Sequence, residues 1–224
     1  MSRVLAYCAF QYGPQISVPS MGVKSAPVHV AACAALRLLW SEVEWPFNPA
    51  DMQKNAVEFH GVIHHVFNQT AVIPFRLLSV FEDETALNAF AAEHQERFLG
   101  DLERLKHFVQ MEFVVYPAPG RKPEDKSSGT AYLEQKAGLL RTIEQQVQDV
   151  RAILGEMSHQ VVVREARSGH RVFVLVERGR EEAFRAAVKG IAVPEALSRR
   201  TSGPWPAAEF LSESLKTPQI AGAR

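Results

Sequence analysis

Leu140, Ile143, Val147, Val150, Leu154 and Met157 recur at alternating intervals of three and four, a spacing that only a helix gathers onto one narrow seam. A long helix from about Ala131 to Met157 follows, and its seam needs an apolar partner to be stable in water. Two partners are open: a sheet of the same domain, or a second chain in a coiled coil. After the helix, Gln160–Arg164 and Arg171–Val176 flank Ser168-Gly169-His170, the pattern of a β-hairpin. Arg180 to Lys189, with Ala183, Phe184, Ala187 and Val188, reads as a short amphipathic helix, and Ala196–Ser202 as a returning strand. The C-terminal half therefore reads helix, strand, strand, helix, strand.

Ahead of that helix, Pro117 to Gly129 carries three prolines, two glycines and five charged residues with no apolar periodicity. A domain boundary belongs there. The expected division is an N-terminal domain over 1–118, a linker over 119–128, a C-terminal domain over 129–216 and a flexible tail over 217–224. In the N-terminal domain, residues 3 to 10, rich in Val, Leu, Tyr and Phe, read as a buried strand stopped by Gly13-Pro14. From Val28 to Trp45 apolar character continues through Ala32, Cys33, Ala35, Leu36, Leu38 and Leu39; strand, helix or one followed by the other would fit, with strand preferred. Asn48 can cap a helix whose first position is Pro49, with Met52, Ala56, Phe59, Ile63 and Phe67 on one face. Ala71–Leu77 is strand-like, and Pro74 confines it to an edge or bulge. A helix opening over Ser79–Glu82 would bury Leu87, Phe90, Ala91, Phe98, Leu102 and Leu105, and Val109–Tyr116 returns to strand.

Of the 224 residues, 25 are Lys or Arg and 25 are Asp or Glu, so no net field draws in nucleic acid or acidic lipid. The two cysteines, Cys8 and Cys33, sit among apolar residues and favour a reduced compartment. No apolar run reaches the roughly 20 residues that cross a bilayer, so neither a membrane span nor export is expected. Gly-rich phosphate loops and a strand-to-helix GxSxG elbow are missing, which leaves no catalytic or cofactor-binding residue to nominate. His60 and His64 share a helix face beside His65, but Gly61 stands where a zinc protease carries its glutamate, and no further ligand suggests itself. A small metal-dependent enzyme built on His60 and His64 is the rival reading. Glu82, Asp83 and Glu84 fit an ordinary helix start. Two residues stand out as partner contacts or structural pins. Arg76 either clamps a carboxylate or faces a partner, and Trp205, held between Pro204 and Pro206, either fills a core slot or anchors a partner.

Four segments in order resemble the gas vesicle protein family GvpL/GvpF. Val72-Ile73-Pro74-Phe75-Arg76-Leu77 with Ser79-Val80-Phe81 and Glu84 is similar to that family's Pro-x-Arg-Phe-Gly-x-x-Phe stretch, and His60 matches a histidine of the helix before it. Gly129-Thr130-Ala131-Tyr132-Leu133 resembles its Gly-x-Ala-Tyr-Leu, and Thr201-Ser202-Gly203-Pro204-Trp205-Pro206 with Phe210 its closing Thr-Gly-Pro-Trp-Pro-x-x-x-Phe. The likeness covers about residues 3 to 212. Leu77-Leu78 replace the usual Phe-Gly, and Met111 stands where tryptophan is common. The resemblance implies an α+β protein of two domains, an N-terminal mixed α/β sheet domain and a C-terminal modified ferredoxin-like domain with a long helix. It also implies a non-enzymatic accessory role without cofactor or metal, in which the protein binds the hydrophobic gas vesicle shell protein and other gas vesicle proteins at the vesicle, in the cytoplasm. Tyr132 joins Arg76 and Trp205 as the motif residues to locate.

Overall fold

The computed structural model describes residues 1–118, 129–155, 158–166 and 169–212. The expected linker, the expected tail, Met157 and Ser168 lie outside them. The chain divides into two compact units, Met1–His107 with Trp205–Arg224, and Phe108–Pro204.

In the first unit, β1 (Ser2–Gln11) is the central strand, and from Val4 to Phe10 every residue is buried. Burial on both faces explains why the run is continuously apolar and not alternating. β1 pairs antiparallel with β3 (Leu36–Glu44), which pairs antiparallel with β2 (His29–Cys33). On its other side β1 meets two short strands, β4 (Ile73–Pro74) and β5 (Val80–Phe81). The long apolar stretch after Val28 is thus a hairpin. Its turn is Ala34-Ala35, with Ala34 at φ 48°, and Arg37 donates to the carbonyls of Ala34 and Leu36 at 3.0 and 2.8 Å.

Two helices cover the β1 region. α1 (Met52–Phe67) follows a single 3-10 turn whose start is capped by Asn48, its side chain accepting from the Ala50 N–H at 3.0 Å. It buries Asn55, Phe59, Val62, Ile63, Val66 and Phe67, so the inward face is turned slightly from the one expected, with Met52 and Ala56 at its margin. α2 (Glu84–Leu105) packs along β1 and β2 and starts at Asp83, which accepts from the Ala86 N–H. The helix expected from Ser79 begins later because Val80 and Phe81 first pair with β1. Phe75, Phe81, Phe90 and Phe98 meet at ring separations of 5.4 to 6.5 Å and seal the sheet against α2.

The second unit runs β6 (Phe108–Pro117), α3 (Gly129–Leu154), β7 (Ser158–Ala166), β8 (Gly169–Glu177), α4 (Glu181–Gly190) and β9 (Leu197–Trp205). Its sheet has the order β7-β8-β6-β9. A strand, helix, strand, strand, helix, strand succession with that order is the ferredoxin-like arrangement. β6 lies between β8 and β9, so it belongs to this unit and not to the N-terminal domain expected over 1–118. The reason is long-range: β6 pairs with β8 along its length, from Phe108 opposite Glu177 to Val115 opposite His170. Residues Trp205 to Ser212 group with the first unit, where the Ser212 N–H and the Phe210 carbonyl bind Asp101 and Arg104 of α2.

Ile143, Val147, Val150 and Leu154 of the α3 seam are buried in the same chain, and α3 packs on β6, β8 and α4. Leu140, at the start of the seam, is 43% exposed, but the other four described positions are filled from within, so they are not available to zip against a second chain as the coiled-coil alternative requires.

Candidate docking surface

Two of the sequence motifs contain a residue that fixes a tight backbone arrangement, Arg76 and Gly203. Arg76 lies in the loop between β4 and β5, where its N–H donates to Ser79 Oγ at 3.2 Å and its carbonyl accepts from the Ser79 N–H at 2.8 Å. The loop is tied to β1 by the Ala6 N–H to the Ser79 carbonyl and the Phe75 N–H to the Tyr7 carbonyl. The Arg76 side chain is exposed. Gly203 has φ +115°, and a Cβ there would come within 2.9 Å of the Gln110 carbonyl oxygen and of Met111 Sδ. Only glycine lets β9 approach β6 so closely. Arg185 donates to the Gly203 carbonyl at 2.5 Å, and Arg199 donates to the carbonyls of Val188 and Ile191 at the end of α4. Trp205 ends β9 with 41% of its surface exposed, which is not a core slot. Tyr132 lies in α3, and its side chain is outside the described residues.

His60 and His64 are exposed on α1. His64 Nδ1 meets Asn68 Nδ2 at 3.1 Å, and His65 Nε2 meets Ser17 Oγ at 3.1 Å. Among the described residues no three His, Cys, Asp or Glu side chains converge as metal ligands, so the rival reading lacks a third ligand. Cys8 is fully buried and burial pushes its thiol well above the usual range, which removes it as a nucleophile at neutral pH. No described helix is long and apolar enough to cross a membrane.

The surface best suited to binding is a strand edge, which sequence reasoning passed over. Among the described residues β2 ends the first sheet, paired only with β3. Its five residues, His-Val-Ala-Ala-Cys, include no proline and no acidic or basic side chain apart from the histidine. Those are the devices that normally blunt an edge. One face of β2 is held down: Ala31 is buried, Cys33 Sγ reaches Gln95 Oε1 of α2 at 3.7 Å, and His29 stacks on Trp40 at 4.5 Å. The other presents Val30, 45% exposed, and the exposed Ala32. Met21, bridged to Pro27 just ahead of β2, is also exposed. Val30, Ala31, Ala32 and Cys33 are all apolar, so no alternation marks the exposed face, and period-two counting does not say which face α2 will cover.

The interior beside this edge is polar and closed. Tyr7 is fully buried against Phe59; its hydroxyl accepts from the Val23 N–H at 3.0 Å and donates to Ser41 Oγ at 2.9 Å. Ser41 in turn donates to the Pro27 carbonyl at 2.7 Å, just before β2. Burial raises the Tyr7 phenol above its ordinary range against the opposing pull of Ser41 and the Val23 N–H. This chain of bonds fixes the segment leading into β2, so the edge is presented on a rigid base.

Comparison with known proteins follows the same outline. The family model described as gas vesicle synthesis protein GvpL/GvpF matches residues 3–212. No curated protein matches the chain. The crystal structure of gas vesicle protein GvpF from Anabaena sp. PCC7120 is similar with a TM-score of 0.76 at 14% identity, covering 95% of this chain and 97% of that one. That of GvpF from Microcystis aeruginosa gives 0.75 at 14% identity, covering 94% and 99%. At this identity the likeness to the solved structures is one of fold.

Proposed function

This chain belongs to the GvpL/GvpF family of gas vesicle synthesis proteins, and from that premise we propose that it is an assembly adaptor that binds the hydrophobic shell protein by strand pairing along β2. The family membership carries a gas-vesicle-related role. The finer reading rests on one observation, the uncharged and proline-free β2 edge with Val30 and Ala32 exposed.

A shell subunit rich in apolar strands exposes unpaired N–H and C=O groups and greasy faces before it joins a wall, and both drive aggregation. An adaptor that lends one sheet edge satisfies the backbone groups of the incoming strand. Side chains on alternate positions then meet Val30 and Ala32, which favours an apolar partner face. Such binding needs no catalytic group, cofactor or metal, and the balanced charge of the chain avoids nucleic acid and membrane surfaces. Other gas vesicle proteins would bind elsewhere on the molecule, and the site of action is the nascent vesicle in the cytoplasm.

Capture of shell protein by the purified chain tests this. The double substitution V30K/A32K places two charges on the exposed face of β2 without touching the face under α2. Capture should fall roughly tenfold or more, the effect of about 1.4 kcal/mol or greater, while the melting temperature stays within a few degrees. Undiminished capture by the folded variant would overturn the assignment of the edge.

A further inference from the structure

The second sheet ends on a different kind of edge. Among the described residues β7 (Ser158–Ala166) pairs only with β8; it is nine residues long and stands largely exposed, with Val163 at 36%. It contains no proline and no lysine, and its one irregularity lies at its start, between Ser158 and Gln160. Its bulge lies at one end and its charged residues, Arg164 and Glu165, toward the other, so the central Val161–Val163 run stays a template for another strand. Its sequence says which one.

Read outward from Val162, the strand is Val161 and Val163, then Gln160 and Arg164. In an antiparallel pair centred on Val162, each Val161 faces Val163 of the second copy and each Gln160 faces Arg164 of the second copy. No like charges meet, and the three central positions are apolar on both strands. A two-fold axis through Val162 satisfies the requirement that an isologous interface be self-complementary. Val161 and Val163 share a face because alternate residues point the same way. The groove beside that face, lined by Arg141, Glu144, Val147, Arg151, Val163 and His170, carries both signs of charge.

We propose that β7 pairs with β7 of a second copy of this chain, joining two second-unit sheets into one continuous eight-stranded sheet. β2 is not used in this pairing and stays free for a client.

The pairing makes Val162 its own partner, which permits a charge-swap test on the full chain by sedimentation equilibrium. Wild type should approach twice the 25.0 kDa chain mass as concentration rises. V162K alone and V162E alone each place like charges opposite one another and should associate roughly tenfold more weakly or worse. An equimolar mixture of the two should recover the dimer, a result that loss of folding in either variant would not produce. A wild-type mass that stays at 25.0 kDa at every concentration overturns the proposal. So does wild-type association that V162K leaves intact, or a mixture that fails to recover while both variants melt cooperatively. If wild type stays monomeric while V162K reduces capture of the shell protein, the edge belongs to that client and self-pairing is excluded.

Discussion

Tyr7 and Gly22 show how single residues set the frame for binding. A Cβ at Gly22 would lie 2.1 Å from the Tyr7 hydroxyl oxygen, so Gly22→Ala must displace a fully buried ring that anchors Val23 and Ser41. The expected cost is about 1–3 kcal/mol, that of leaving buried polar groups unpaired, read as a lower urea midpoint with an unchanged slope. A midpoint equal to wild type would show that the hydroxyl network is dispensable. Buried protons also predict a pH response. Cys8 and Tyr7 both hold their protons more tightly folded than unfolded, above ordinary values of 9.0 and 10.0. The unfolded chain binds fewer protons once pH passes those values, so stability is intact below about pH 9 and declines as pH rises. Cys8 acts first and Tyr7 next. Urea unfolding measured from about pH 8 to pH 11 should show a falling midpoint in wild type and a flatter first portion in Cys8→Ala; an identical slope in both would contradict the assignment to Cys8.

At the scale of elements, legibility in the sequence tracked how local the determining forces are. β1, α3 and the β7–β8 hairpin carry their own period or turn signal, and their cores were readable: Ile143, Val147, Val150 and Leu154 are buried as the spacing requires. Pro74 likewise marked an edge, and β4 pairs with β1 alone. Other features depend on partners far along the chain. The β2–β3 turn uses Ala34 at φ 48°, with no glycine, asparagine or aspartate to announce it. β6 looked like the end of the first domain because a proline-rich segment follows it, yet its pairing with β8 decides its unit. Asp101, 5% exposed, binds Arg104 and the Ser212 N–H, an anchor no local pattern could reveal. Of the nominated site residues, Arg76 pins a loop through its backbone, while the strand edge that best suits docking, β2, was hidden because exposure of an edge is a property of the whole sheet.

At the scale of the molecule, two sheets present two edges of unlike chemistry. β2 is short and apolar, whereas β7 is longer and closes with Arg164-Glu165. On the proposed reading the first edge takes an apolar client and the second a copy of itself, which would double the valency of the pair. Linked sites raise avidity without new contacts, so each single-edge contact in the proposed pair could stay weak. The claim on which this picture depends is strand addition at β2. Amide hydrogen exchange of the full chain, with and without shell protein, reads it directly. Slowed exchange at His29–Cys33 on binding, lost in V30K/A32K, is the expected result; unchanged exchange at β2 while the shell protein is demonstrably bound would contradict it.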